Sequence, residues 1–277
     1  MPTTSDYLTQ LQQDRDDLVD NLEAKGITGL TGDETFTELV PEVLNIPSGG
    51  GGFPPDWTEI GYEETPSNII EVFNYAKDIY DNWDSSITSL NNTFLNDRKL
   101  TIFPLVDTSN VTNMTQTFAY SNLLSLPLID TSKVTDFNLC FSECRFINFP
   151  LLDFSSGANF NSAFVNCVNL IEIPKFTFTE TRRYEMISMF SGCKSLKNFP
   201  PLKIKNVSDV RNMFSYCPSL TDESLDNILQ MCMSATLYTG TKKFARLGFA
   251  STDYPASRIQ ALPHYQDFIE AGWTIGY

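Results

Sequence analysis

Six cysteines and a single histidine are the side chains of this sequence with the most versatile chemistry. Thiolate and imidazole groups act as nucleophiles, general bases or metal ligands when the fold brings them together. One histidine, His264, excludes sites that need several imidazoles, and no Ser or Cys stands at a meaningful spacing from it. We therefore predict no catalytic residue, no metal site and no cofactor, and interpret His264 as structural or exposed.

Four of the cysteines keep a regular spacing that indicates packing. Each stands three residues after a phenylalanine, and two earlier positions in phase carry Asp97 and Ser121. These cysteines are Cys144, Cys167, Cys193 and Cys217. We predict a column of small, buried, unreactive thiols, with disulfide, metal or nucleophilic roles as the alternatives. Cys140 and Cys232 lie off the column and are predicted to be isolated core residues.

The phenylalanines before these cysteines belong to an internal repeat with steps of 24, 23, 23, 26 and 24 residues. The anchors are Phe94, Phe118, Phe141, Phe164, Phe190 and Phe214. An apolar residue lies four positions before each anchor, and a proline follows nine or ten positions after the first five. A further apolar column stands six positions after the anchors, at Leu100, Leu124, Ile147, Leu170, Leu196 and Leu220.

Columns kept in phase over so many copies are typical of a solenoid, whose turns bury their apolar faces only against neighbouring turns. We predict an α+β fold: a right-handed solenoid of five to six turns over residues 89–221, with one short strand per turn around Leu-x-x-x-Pro. Asp-Thr-Ser triplets at 107–109 and 130–132, with Asp153 in phase, are predicted to bond local backbone in the turns. A calcium site on this Asp column is the weaker alternative, because each repeat supplies only one carboxylate.

The flanks divide into four further segments. Residues 1–46 are predicted to be a helical attachment or oligomerisation module, with a self-contained helical hairpin as the alternative. Its apolar positions are Leu8, Leu11, Leu18, Leu22, Phe36 and Leu39. Glycines and prolines make residues 47–56 a linker, and 57–88 form a cap with a helix from Pro66 to about Tyr80, whose buried side includes Tyr80. Residues 222–277 form a second cap with helices over 222–234 and 257–271.

The formal charge of −15 disfavours nucleic-acid binding, which needs a surplus of basic residues. All of the excess lies in residues 1–88, where 18 acids meet 3 bases, while residues 89–277 are balanced. This acidic end is either a solubilising surface or an electrostatic handle for docking. No apolar stretch reaches the length of a membrane span, and the start does not resemble a secretory signal, so we expect the chain to stay in the cytoplasm until lysis.

The repeats DTSNVTNMTQTFAYSNLL and DTSKVTDFNLCFSECRFI resemble those of BspA-like bacterial surface proteins, with the pattern D-T-S-x-V-T-x-M-x-x-x-F-x-x-C-x-x-L. The resemblance covers about residues 84–221. It implies a leucine-rich-repeat-like solenoid used for adhesion or protein recognition, without catalytic residues. The flanks, from YLTQLQQDRDDLVDNL and DWTEIGYEETPSNIIEVF to YQDFIEAGWTIGY, resemble modules of phage structural and tail-associated proteins.

The resemblances imply a phage virion structural protein, as a fibre, tail-associated or capsid-decorating component released by lysis. It would contact other virion proteins through residues 1–46 and a host-surface glycan or protein through the solenoid. Virion fibres are often trimeric, which favours a homotrimer, while the helical seam of residues 1–46 is equally compatible with a dimer or a monomer. The predicted ligand surface comprises Arg98, Lys99, Thr101, Asn122, Ser125, Arg145, Asn148, Asn169, Glu172, Lys194, Lys197 and Asn198. For the protein as a whole, a bacterial surface adhesin is the alternative and a glycan-cleaving tailspike is a weaker one. For the residues of the predicted ligand surface, the alternative is that they only keep the solenoid soluble.

Overall fold

The computed structural model describes residues 66–179, 182–237, 244–245 and 247–275. By its internal contacts the chain divides into residues 1–70 and 71–277, and nearly all described residues belong to the second unit. The module predicted over residues 1–46 and the linker over 47–56 lie outside the described residues. The same holds for the predicted attachment positions Leu8, Leu11, Leu18, Leu22, Phe36 and Leu39.

Regular helices and strands occupy a small part of the described chain. The helices are α1 (Pro66–Asp81), α2 (Asp222–Ser234), α3 (Ala256–Gln260) and α4 (Tyr265–Glu270). The strands are β1 (Tyr184–Glu185), β2 (Asn206–Asp209), β3 (Thr236–Leu237), β4 (Phe244–Ala245) and β5 (Thr274–Ile275). Strands β1, β2 and β3 form a parallel sheet in that order, and β4 pairs in parallel with β5.

Residues one repeat apart pair in parallel at two places in the repeat. The first series of bridges joins Ser89, Asn113, Asp136, Asn159 and Glu185 in succession. The second joins Ile102 to Ser125, and then Asn148 to Glu172 and Glu172 to Asn198. Paired strands lie about 4.8 Å apart, so each repeat lies directly beside the next one along the chain.

Around each of the first five anchors, alternate backbone N–H groups donate to carbonyls of the following repeat. In the third repeat the donors are Phe137, Leu139, Phe141 and Glu143, at N–O distances of 2.8, 3.0, 2.9 and 2.8 Å. Leu139 and Glu143 have left-handed backbones, with φ of 54° and 57°. The same two positions of the other repeats are also left-handed, and this conformation costs a non-glycine residue about 1 kcal/mol. The inter-repeat hydrogen bonds hold these residues in place.

The anchor phenylalanines stack into a continuous column through the core. Successive ring centroids lie 5.7, 5.8, 5.2, 5.3 and 5.8 Å apart, with interplanar angles from 6° to 21°. The apolar residues four positions before the anchors are all buried. Each ring, from Phe118 to Phe190, therefore contacts the equivalent rings of the repeats on both sides.

The second apolar column differs from the prediction in two repeats. Leu124 and Ile147 are only partly buried, whereas the preceding residues, Leu123 and Phe146, are fully buried. The prediction at six positions after the anchor was wrong here, because these repeats have one residue fewer between the cysteine column and the buried position. The buried residue instead lies four positions before the proline in each of the first five repeats.

Two helix predictions also need correction. The exposed fraction of Tyr80 is 60%, so it lies off the buried side of α1, where Tyr75 and Ile79 pack against the core. The helix predicted over 257–271 is interrupted between α3 and α4 by turns around Pro263. Proline lacks the N–H group that a continuous helix requires and its ring clashes with the preceding turn.

The phenylalanine column predicts unequal costs for the same substitution at the middle and the end of the stack. Phe141→Ala removes a fully buried ring with stacked neighbours on both sides, so we expect about 3–5 kcal/mol of lost stability. Phe94→Ala, at the 9% exposed end of the column, should cost clearly less. Urea unfolding of both variants measures this, and equal losses would contradict the stacked column as the main core contact.

Candidate functional site

In the second to fifth repeats, the second series of bridges includes one exposed polar residue per repeat, and we call this series the polar column. It consists of Ser125, Asn148, Glu172 and Asn198, all of them exposed. The amide of Asn198 donates to the carboxylate of Glu172 at 3.3 Å, across one repeat step. These residues alternate with buried ones, such as Leu126 and Phe149, because successive side chains of an extended segment point to opposite faces.

The other predicted surface residues lie beside the polar column, with one exception. Arg98, Lys99, Lys194 and Lys197 are exposed, and partial exposure is seen for Asn122, Arg145 and Asn169. Thr101 is buried, at 8% exposure, so its prediction as a solvent-facing residue was wrong. It precedes the bridging residue Ile102, and its carbonyl accepts a 2.8 Å hydrogen bond from the N–H of Leu124.

Basic side chains recur at one corner of alternate repeats. Arg98, Arg145 and Lys194 each follow the cysteine-column position directly, in the first, third and fifth repeats. Asn122 and Val168 take the same position in the second and fourth repeats. Two repeat steps correspond to about 10 Å, so positive charges recur at that spacing along the stack. The amide of Asn122 donates to the carbonyl of Arg98 at 2.6 Å and holds this corner in place.

The cysteine column is a ladder of thiol hydrogen bonds. Each thiol donates to the backbone carbonyl of the anchor phenylalanine in the preceding repeat. The Sγ–O distances are 3.2, 3.0, 3.1 and 3.0 Å for Cys144, Cys167, Cys193 and Cys217. All four are buried and form no disulfide, which confirms the predicted packing role. Burial raises the pKa of Cys144 and Cys217 to about 12, and that of the other two well above its ordinary value. Their thiolates are thus strongly disfavoured.

The aspartates of the Asp-Thr-Ser turns are occupied by backbone groups. The carboxylates of Asp107, Asp130 and Asp153 accept hydrogen bonds from N–H groups two residues ahead, at 3.0, 2.9 and 2.8 Å. This confirms the predicted local bonding. Within the described residues, no group of three or more His, Cys, Asp or Glu side chains lies close enough to hold a metal ion.

His264 forms a link between the C-terminal helices. Its Nδ1 lies 2.6 Å from Oδ2 of Asp226, and its backbone N–H donates to Oδ1 of the same carboxylate at 2.9 Å. Gln230 also donates to that carboxylate, at 3.0 Å. Asp226 is 7% exposed, so these contacts satisfy a buried acid and join α2 to the beginning of α4. This arrangement agrees with the structural interpretation of His264.

Two features of the surface were not predicted from the sequence. A shallow groove of about 260 Å³ lies in the C-terminal part, lined mainly by Ile259, Tyr265, Ile269 and Ile275. In addition, the residue after the proline is an exposed leucine in the first three repeats: Leu105, Leu128 and Leu151. The regular Pro-Leu dipeptides are the signal in the sequence for this second feature.

Together, these features define a repeat protein whose stacked turns bury phenylalanine and thiol columns and expose polar side chains. The family described as "Mycoplasma protein of unknown function, DUF285" matches three overlapping segments, residues 67–173, 124–228 and 158–246. The chain belongs to this family. No curated protein and no solved structure matches it. None of the helices in the described ranges is long and apolar enough to cross a membrane.

The thiol ladder predicts alkaline instability. The cysteines have an ordinary pKa of 9.0, and burial raises that of Cys144 and Cys217 to about 12. Stability from the neutral thiols is therefore fully present below pH 9 and is lost as the pH rises toward 12. The free energy of unfolding in urea should fall from pH 8 to pH 10.5 on this account.

A variant with Cys167 and Cys193 replaced by alanine serves as the matched control and should show a shallower decline. The native thiols should also resist a water-soluble thiol reagent until the chain unfolds. A pH dependence unchanged by the double substitution, or rapid labelling of the folded protein, would contradict the assignment of the ladder.

Proposed function

We propose that residues 89–221 form a leucine-rich-repeat-like right-handed solenoid and that the protein is a non-catalytic recognition component of a phage virion. The observation that carries this proposal is the polar column, in which Asn148, Glu172 and Asn198 pair side by side on successive repeats and Ser125 holds the equivalent position of the second repeat. A rigid, hydrogen-bonded backbone below these side chains fixes their spacing, so a bound partner would not have to order them.

The charges around the polar column favour an acidic partner. Arg98, Lys99, Lys194 and Lys197 are exposed beside it, while Glu172 is the acidic member of the column itself. Amide and hydroxyl groups from Ser125, Asn148 and Asn198 supply donors and acceptors of the kind that pair with sugar hydroxyls. An anionic host-surface glycan, or an acidic protein segment, is the ligand that this surface would bind best.

The virion role rests on the resemblance of the flanking segments to modules of phage structural proteins. In this proposal, residues 1–46 attach the protein to other virion proteins, as a homotrimer, and the linker over 47–56 gives the solenoid reach. The acidity of residues 1–88 then belongs to the attachment end and leaves the repeats charge-balanced.

A second candidate function is that of a bacterial surface adhesin or protein-interaction module. The resemblance of the Asp-Thr-Ser repeats to BspA-like surface proteins favours it, and membership of the DUF285 family agrees equally well with both functions. The same polar column would then face another cell or protein. A glycan-cleaving tailspike is the weakest candidate, because the repeats present no recurring pair of carboxylates across a cleft.

Charge reversal beside the polar column tests the proposed ligand surface. The double variant Lys194→Glu and Lys197→Glu should bind host cells about tenfold more weakly than the unaltered protein, measured by flow cytometry of the fluorescently labelled full chain. Added salt should weaken binding of the unaltered protein, because exposed charges are screened. The anionic polysaccharide fraction from the same cells should compete for binding, and the neutral fraction should not.

The matched control, Lys77→Glu with Lys133→Glu, makes the same change in net charge at exposed positions away from the polar column. It should bind like the unaltered protein. Equal losses in both double variants would indicate a general charge effect and contradict a specific ligand surface.

Particle composition separates the two candidate functions. Mass spectrometry of density-purified phage particles from the bacterium that encodes the chain should detect it at a constant ratio to the major capsid protein. Intact cells without an active prophage should then lack it at their surface when probed with a specific antibody. The opposite pair of results would favour the adhesin and exclude the virion role.

A further inference from the structure

The three exposed leucines form a second surface feature, which we call the leucine stripe. Leu105, Leu128 and Leu151 are 56%, 39% and 39% exposed, and each follows the proline of its repeat. Because equivalent positions of adjacent repeats lie side by side, the three side chains form one line. Other large exposed apolar residues of the described chain, including Tyr80, Tyr216 and Ile269, do not recur in phase.

The two repeats that follow the leucine stripe carry lysines in this region. At the same position, the fourth repeat has Lys175 and the fifth has Pro201, and both are exposed. Exposed acids accompany the leucines two residues further along the chain, at Asp107, Asp130 and Asp153. The equivalent positions in the fourth and fifth repeats are Thr177 and Lys203. At these two positions, the corner therefore carries aspartates over three repeats and lysines over the next two.

We propose that the leucine stripe is the contact surface of an antiparallel homodimer. A two-fold axis perpendicular to the stack at the third repeat places the first repeat against the fifth and the second against the fourth. Asp107 then faces Lys203 of the second copy, its Lys175 faces Leu128 and lies diagonally across from Asp130, and Leu151 meets the same residue of the other chain. Burial of the leucines provides the attraction, which increases with the apolar area removed from water.

The charges along the stripe favour this antiparallel dimer over a parallel one. A two-fold axis parallel to the stack would bring each repeat against its own equivalent, with aspartate opposite aspartate and lysine opposite lysine. Like charges across an interface are unfavourable, whereas the perpendicular axis pairs every acidic repeat except the central one with a basic repeat. The surface is therefore complementary to itself in one orientation. This dimer goes beyond the proposed recognition function and differs from the trimer expected through residues 1–46.

The length of the leucine stripe limits the expected affinity of the dimer. Five repeats at about 4.8 Å give a contact roughly 20 Å long, which is smaller than a standard protein interface. Exposed ion pairs add little free energy, so their effect is on orientation. We expect a dissociation constant of about 0.1 mM, and therefore dimers that form at high protein concentration or when many copies lie close together.

Single cysteines introduced on the stripe test the orientation directly, because all six native cysteines are buried. Under mild oxidation of the full-length protein, Leu151→Cys should form a disulfide-linked dimer with itself. Leu105→Cys should not, but a mixture of Leu105→Cys with Pro201→Cys should. Val168→Cys, at the same 39% exposure as Leu151 but off the stripe, is the matched control.

Equally efficient crosslinking of Leu105→Cys to itself would overturn the antiparallel arrangement in favour of the parallel one. Crosslinking of Leu151→Cys no greater than that of Val168→Cys would overturn the dimer.

Sedimentation of the full chain provides a second measurement that does not depend on crosslinking. Lys175→Asp should weaken dimerisation about tenfold, and the double variant Lys175→Asp with Asp130→Lys should restore it, because both exchanged pairs regain opposite charges across the axis. Thermal unfolding of each variant checks that the repeats are intact. Self-association insensitive to these substitutions would show that it arises elsewhere and would contradict the proposal.

Discussion

The hydrogen bonds between successive repeats are the constraint on which the rest of the structure depends. Alternate N–H groups around each of the first five anchors donate to the next repeat, which fixes the two backbones at the spacing of paired strands. At that spacing, anchor rings lie 5.2 to 5.8 Å apart, close enough to stack. At the same spacing, each thiol can donate a hydrogen bond to the anchor carbonyl of the preceding repeat. The aromatic and cysteine columns therefore follow from one backbone register.

The ends of the stack show what happens when a repeat has no neighbour. A thiol in the first repeat would have no preceding anchor carbonyl to bond. That position holds Asp97, whose carboxylate accepts a hydrogen bond from the hydroxyl of Tyr75 on α1. At the other end, the hydroxyl of Tyr254 donates to the carbonyl of Cys217 and accepts from the N–H of Leu220 at 3.0 Å. Burial raises the pKa of both tyrosines to about 12, so they remain neutral donors.

Features that repeat in phase could be predicted from sequence, and features that depend on local spacing could not. The anchor and cysteine columns recur at fixed offsets, so their burial followed directly. The burial of Leu123 could not be predicted because its repeat has one residue fewer between the cysteine column and the buried position. The distance from the buried residue to the proline stays the same in all five repeats. Thr101 was predicted to be exposed, but side chains alternate between two faces along its extended segment, and this alternation places Thr101 on the buried face. The polarity of a threonine did not indicate burial. For the candidate site, the polar column was found, but the exposed leucines were not.

The separation of core and surface explains how one chain can present two independent faces. Within a single repeat, Ser125 belongs to the polar column and Leu128 to the leucine stripe, while Leu126 between them is fixed in the core. Neither of these exposed side chains belongs to the anchor stack or to the thiol ladder. A stack held together by columns of equivalent contacts can therefore vary its polar column without altering the stripe, and each face can change one repeat at a time.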